Sequence, residues 1–207
     1  MAKTAKQPGV RRTQAERIDL TRNRLLESAA RGFSTYGYGN VRLDDIARDA
    51  GYSRGALYHL FAGKEELAIA VVEWVSRTWT AEVGEPAQAI ADPAERLLWM
   101  ARAHAEYCRR EVAAVLMSLR VEFAGRDHPV AHAITELVGP YIEELAKLIT
   151  KGRRQGVIPA GPPPRMLASA YLGVLEGVTA SATGAPHDVE LTERAVRGLL
   201  GLPPRSA

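Results

Sequence analysis

One cysteine, Cys108, stands among 207 residues, so no internal disulfide can hold this chain together. A stapled secreted scaffold is thereby excluded, and a lone thiol suits a reducing compartment. No apolar run is long enough to span a bilayer. The leading stretch MAKTAKQPGVRRTQAERIDLTRNR is charged where a secretory signal needs an apolar segment, so a cytoplasmic, membrane-free protein is expected. There is no phosphate-binding glycine loop, no G-x-S-x-G, no H-E-x-x-H and no credible acid–base pair, and neither an enzyme nor a cofactor is expected. Strand-like alternation, repeats and low-complexity segments are absent as well. What remains is apolar spacing near 3.6, and the expected class is all-α with about nine helices.

Charge is unevenly spread. The first 65 residues hold 12 Lys and Arg against 7 Asp and Glu, and the rest holds 15 against 17. A basic head on a slightly acidic body points to a polyanion met by the head alone.

Within that head, VRLDDIARDAGYSRGALYHLFAGKEEL (41–67) reads as helix, tight turn, helix and the start of a third helix. Ile46, Ala47 and Ala50 share one helical face. Gly51 can end the helix at positive φ, and the Ser53 hydroxyl can cap the next one. Leu57 and Phe61, four apart, face inward, and Leu60 reads as core. Arg54, Gly55, Tyr58 and His59 are left facing out, a polar set that suits a DNA groove better than a catalytic pocket.

The ordered set Asp45-Ile46-Ala47, Ala50-Gly51, Ser53, Gly55, Leu57-Tyr58, Phe61 and Lys64-Glu65-x-Leu67 resembles the DNA-binding signature of the TetR family of bacterial repressors. With residues 21–37 ahead of it, the resemblance covers about the first third of the chain. It implies a three-helix helix–turn–helix head, followed by a larger helical domain that binds an effector and pairs two copies. On the residues, the implied DNA contacts are Arg42, Ser53, Arg54, Gly55, Ala56, Tyr58, His59 and Lys64. Arg54 can donate two bonds to a guanine edge or pair a phosphate. Gly55 and Ala56 let the backbone approach the duplex. Tyr58 and Lys64 stand where the family usually contacts the DNA backbone. Each has a plainer reading beside this one: Ser53 as a cap only, Tyr58 as core cover, Lys64 as a solvated cation. Arg42 departs from the family, which usually has Thr or Ser there. Its longer fork can still reach a phosphate, but it cannot cap a helix.

The expected domains are a disordered basic arm over 1–19, the head over 20–66, the effector-binding and dimerisation domain over 67–202, and a tail over 203–207. The arm is either a solubilising tail or a phosphate or minor-groove contact. Thr21 is expected to cap the first helix, with Leu25, Leu26, Ala29 and Phe33 inward and a break at Gly37. A long helix from Lys64 is expected to stop at Gly84 and Pro86. Asp92-Pro93-x-Glu95 should start another that runs to about residue 110. Further helices are expected at 112–124, at 129–155 with a kink or break at Gly139-Pro140, at 165–183 and at 188–200.

By resemblance the last two helices form the dimer interface. Ala170, Gly173, Gly177, Ala180 and Leu199 are its candidate residues; a buried core helix without a partner is the competing reading. Candidate effector-pocket residues are Trp99, Met100, His104, Tyr107, Met117, Phe123, His132 and Tyr141, although such a stripe also suits plain core. His104/Cys108 and His128/His132 have a spacing that could hold a metal, but a buried histidine and cysteine explain them as well, and no metal is expected. The resulting expectation is a dimeric repressor on double-stranded DNA at a palindromic operator, released by an unidentified small molecule. An activator or a ligand-independent DNA-binding regulator of the same fold is the alternative.

Overall fold

The computed structural model describes residues 13–204 apart from 111. Residues 1–12 of the expected arm and 205–207 of the expected tail lie outside the described residues. Nine α-helices of seven or more residues, and no strand, make up the described part. None of these helices is long and apolar enough to cross a membrane.

The first helix, α1 (Gln14–Asn40), starts earlier than expected. The Thr13 hydroxyl accepts from Glu16 N at 3.2 Å, and Thr13 N donates to the Glu16 carboxylate at 2.7 Å. This reciprocal box nucleates the helix, so residues 14–19 are helical and not part of an arm. Thr21 lies inside α1 and is no cap; its hydroxyl donates to Arg17 O. The helical backbone breaks at Gly37, where φ is 77° and ψ is 161°.

Then come α2 (Leu43–Asp49), α3 (Arg54–Leu60) and α4 (Lys64–Trp79). Gly84 and Pro86 do not stop α4. It passes through a π-helical turn over Thr80–Gly84 into a last short turn, Glu85–Ala87, where Pro86 sits in a first-turn position that needs no N–H. The Asp92 carboxylate accepts from Glu95 N at 2.9 Å and starts α5 (Pro93–Tyr107). Next are α6 (Val115–Glu122), α7 (Pro129–Arg154), α8 (Pro164–Ala182) and α9 (Asp188–Leu200). The Arg109 guanidinium fastens the start of α9: it reaches Asp188 at 2.6 and 3.0 Å and holds that carboxyl well below the usual range, helped by the N–H groups of Gly184 and Val189.

Two apolar cores result. One joins Leu25, Phe33, Ile46, Leu57 and Phe61 to Val71 and Val75 of α4, and then to Val115, Leu119, Phe123, Val130 and Ile134. The other joins α5, the far half of α7, α8 and α9 around Leu97, Leu145, Ile149, Tyr171 and Val196. Packing therefore continues across residue 66. Helix α7 spans both cores and runs through Gly139-Pro140 without the expected break. A mid-helix proline costs about 3 kcal/mol. Here the apolar residues before it are buried in one core and those after it in the other, which holds the two halves in line.

Gly37 occupies a backbone region open almost only to glycine, and a Cβ there would lie 3.2 Å from Glu122 Oε2. Gly37→Ala should destabilise the fold by about 1–3 kcal/mol. Gly198→Ala, in an exposed helical position where an added Cβ meets nothing within 4 Å, should stabilise it by about 0.5–1 kcal/mol. Urea denaturation checks both; an unchanged midpoint for Gly37→Ala would mean that another residue tolerates the kink.

Candidate nucleic-acid interface and cavity

The head places its polar side chains by burying the apolar ones. Leu25, Leu26, Ala29 and Phe33 of α1, Ile46 and Ala47 of α2, and Leu57 and Phe61 around α3 are buried together. The buried Ser28 hydroxyl donates to Ile46 O at 2.9 Å and ties α1 to α2. Gly51 turns the chain at φ 77°, and Ser53 Oγ accepts from Ala56 N at 3.2 Å. With Leu57 inward, α3 turns Arg54, Gly55, Tyr58 and His59 to solvent, while Ala56 and Leu60 are half-buried. Arg42 is exposed at the start of α2 and makes no side-chain cap.

Two of the cations are already engaged. The Arg54 guanidinium lies 3.3 Å from Asp44, reaches the Tyr58 hydroxyl at 3.5 Å and covers the Tyr58 ring at 5.2 Å. Lys64 is turned back into the head. Its ammonium donates to Gly39 O at 3.2 Å and lies 4.9 Å from the centre of the Tyr38 ring, and desolvation lowers its pKa.

Sequence reading missed the clamp beside Lys64. Glu122, at the end of α6, accepts from Tyr38 N at 2.6 Å and from Gly39 N at 2.9 Å. Tyr38 packs on Phe33, Phe123 and His128. The Gly37-x-Gly39 spacing marked a turn, but nothing local pointed to a partner more than 80 residues away.

Behind the head, a cavity of about 500 Å³ lies among α4, α5, α6, α7 and α8. Four candidate residues line it: His104, Tyr107, Met117 and Tyr141. The other four lie elsewhere. Trp99 and Met100 pack in the second core, Phe123 packs against Tyr38 and His128, and His132 is on the surface, 3.0 Å from Asp127. Their helical spacing was that of core or surface, with nothing local to tell a cavity wall from either. Unforeseen wall residues are Trp79, Cys108, Arg120 and Glu176.

The wall is largely hydrogen-bonded within itself. Trp79 Nε1 donates to His104 Nδ1 at 3.1 Å. The His104 proton is therefore on Nε2, 3.3 Å from Cys108 Sγ. Burial lowers the His104 pKa to about 4 and pushes the Cys108 thiol up to about 12. Tyr107 shares a 2.7 Å hydrogen bond with Thr78. Arg120 is ion-paired with Glu176, whose carboxyl is raised by burial against the pull of Arg120. Among the described residues, no three His, Cys, Asp or Glu side chains gather as metal ligands. His128 Nδ1 accepts from Val130 N and so caps its own helix.

On the outer side of α8, Ala170, Gly173, Gly177 and Ala180 are exposed together with Met166; Ala180 also borders the cavity, and Leu199 on α9 is half-buried.

Residues 25–71 match the family model for bacterial regulatory proteins of the tetR family. Residues 25–71 are thus a DNA-binding domain of the TetR type. The chain is 27% identical over 166 residues, 80% of its length, to the A-factor receptor protein of Streptomyces griseus. It is 43% identical over 65 residues, 31% of its length, to the HTH-type transcriptional regulator CymR of Pseudomonas putida. It spans 55% of the length of the first and 32% of the second. Its fold is like that of AibR in complex with isovaleryl coenzyme A and operator DNA, at a TM-score of 0.76 and 22% identity, over 88% of this chain and 100% of that one. The helical body behind this domain thus carries a cavity between its helices, with a neutral imidazole in its wall.

That imidazole has a consequence for acid stability. Its folded pKa lies below the 6.5 of an unperturbed histidine, so from about pH 6.5 down to about pH 4 only the unfolded chain takes up the proton. Stability should fall as pH drops through that window, by no more than about 3.4 kcal/mol. His104→Gln should flatten that part of the curve. Urea midpoints at pH 7 and pH 4.5 for both proteins test this, and parallel slopes would refute it.

Proposed function

We propose that the chain is a homodimeric, cytoplasmic repressor of transcription that reads a palindromic operator and lets go when a small molecule fills the cavity. The observation that carries this is the face of α3: Arg54, Tyr58 and His59 stand out from a helix whose Leu57 is buried beneath them. A helix of that form enters a major groove, where each base pair shows its own donor and acceptor pattern. Arg42, Ser53, Gly55, Ala56 and Lys64 flank it as backbone contacts, with Lys64 swinging out from Gly39. The head ends near residue 66, and the body through residue 202 senses the effector and pairs two copies.

One head gives little affinity, whereas two heads about 34 Å apart reach successive major grooves. The exposed small residues of α8 let a second copy approach closely, and the 65%-exposed Met166 and 46%-exposed Leu191 give that face apolar area to bury. The A-factor receptor protein, similar over most of this chain, is by name a receptor, and the AibR structure holds a ligand together with operator DNA. Both favour a regulator that binds a small-molecule effector, and neither is an enzyme by name.

Gel shifts with the DNA upstream of the chain's own gene test the reading. Arg54→Ala and Tyr58→Ala should each weaken binding about ten-fold or more, and affinity should drop steeply with salt. Asp44→Asn, which frees Arg54 and removes a weak repulsion of phosphate, should leave operator affinity within about two-fold and raise affinity for unrelated DNA. Unchanged affinity in both alanine variants would rule out α3 as the reading helix.

A further inference from the structure

Lys64 is a proposed DNA contact that points away from solvent. It opens α4, at the positive end of the helix dipole, where Glu65 and Glu66 are favoured and a cation is not. Its side chain is half-buried and turned back. The ammonium donates to Gly39 O at 3.2 Å and lies 4.9 Å from the centre of the Tyr38 ring. Water would serve an ammonium at least as well as one carbonyl, so a further interaction has to hold it there.

That interaction comes from the body. Glu122 closes α6 and accepts from Tyr38 N at 2.6 Å and Gly39 N at 2.9 Å. Gly39 thus gives its N–H to the carboxylate and its C=O to the ammonium. The negative charge of Glu122 also acts on Lys64 directly, against the desolvation that lowers the lysine's pKa. The nearer carboxylates in sequence are occupied otherwise. Glu66 accepts from Ala62 N at 2.6 Å, and Glu65 lies 3.8 Å from His128. Arg54 is braced by Asp44, a residue of the head itself, whereas the charge that bears on Lys64 is 58 residues further along the chain, on the body.

We infer that Glu122 is a positioning residue for DNA binding. Its charge holds Lys64 against Gly39 and Tyr38, and a phosphate has to draw the ammonium away from it before the contact forms; this rests on the reading of α3 and Lys64 as a DNA face. The body thereby sets the strength of one backbone contact made by the head. The exchange swaps one anion for another around the same cation, so its effect is a several-fold change in affinity and not the loss of binding.

Gel shifts with the full chain and the DNA upstream of its own gene, over a range of salt, test this in a double-mutant cycle of Glu122→Gln and Lys64→Met. Gln keeps the side-chain length and still accepts from one of the two N–H groups, and urea midpoints check that each variant is folded. Lys64→Met should flatten the slope of log affinity against log salt by about 0.9, the share of one phosphate. Glu122→Gln should favour binding about three-fold or more in the presence of Lys64, relative to its effect in the Lys64→Met background. Equal effects in the two backgrounds would overturn the role of Glu122 while leaving Lys64 a phosphate contact. An unchanged salt slope in Lys64→Met would take Lys64 off the DNA face, and the inference with it. A second measurement needs no variant. With isotope-labelled lysine, the Lys64 side-chain protons should be shifted upfield by the Tyr38 ring in the free protein and return to ordinary positions when DNA is added. An upfield shift that persists in the complex would likewise overturn the inference.

Discussion

A single carboxylate ties the two halves of this molecule. Glu122 accepts from two consecutive backbone N–H groups, at 2.6 and 2.9 Å, on the turn that leads from α1 to α2. Hydrogen bonds to a charged acceptor contribute about 1.5–3 kcal/mol each, so this pair outweighs most single contacts at the junction. The bond requires a turn that presents both N–H groups outward, and only Gly37 at φ 77° provides it. The same helix, α6, puts Val115 and Leu119 into the first core and Leu116, Met117 and Arg120 onto the cavity wall. Head, clamp and cavity thus share eight residues of helix. A change in what α6 packs against on one side has to be accommodated at Tyr38 and Gly39 on the other. Tyr38 is caged by Phe33, Phe123, His128 and Lys64, which leaves the turn little slack.

What was legible in the sequence follows from the range of each interaction. Ser53, Gly51, Asp92 and the Leu57/Phe61 pair act within four residues of themselves, and their roles as cap, turn, cap and core were readable from spacing. Thr13 and Glu16 act at the same range, and T-x-x-E is a legible signature, but the basic composition around it read as an arm. There the reciprocal capping bonds outweigh the basic composition. Glu122 was not legible, because its partners lie more than 80 residues away and a glutamate at a helix end has many ordinary uses. The cavity was only half legible for the same reason. Its wall is assembled from five helices, and a helical stripe shows which residues face inward without showing whether they meet atoms or space. His104, Tyr107, Met117 and Tyr141 face the space; Met100 and Phe123, with the same inward spacing, meet atoms.

Helix α7 shows how tertiary packing overrides a local breaker. Gly139-Pro140 carries every local sign of an interruption, and the helix continues. The override is possible because burial lies on both sides of the pair, Val130 and Ile134 before it and Leu145, Ala146 and Ile149 after it. Each fully buried aliphatic side chain is worth about 1.5–3 kcal/mol, so the anchors on either side exceed the proline's cost. The pair then falls between the two cores, where Pro140 and Tyr141 border the cavity. The weakest hydrogen bonding of the longest body helix is thereby placed at the wall that a ligand would touch.

The reading face raises an opposite question, since Arg54 begins in contact with Asp44. Both partners are largely exposed, and such a pair is worth about 0–1 kcal/mol. A bidentate contact to a base edge is worth about 1–3 kcal/mol of discrimination, so DNA can take the guanidinium away from Asp44 at little cost. The brace is thus too weak to sequester Arg54. What it does is hold the long side chain between Asp44 and the Tyr58 ring, where an unbraced arginine would sample many rotamers. Ordering such a side chain on binding costs about 0.5–1.5 kcal/mol, comparable to the pair itself. Asp44 therefore repels phosphate weakly while sparing part of that ordering cost, and the balance favours sites where Arg54 finds a matched acceptor over sites where it meets phosphate alone.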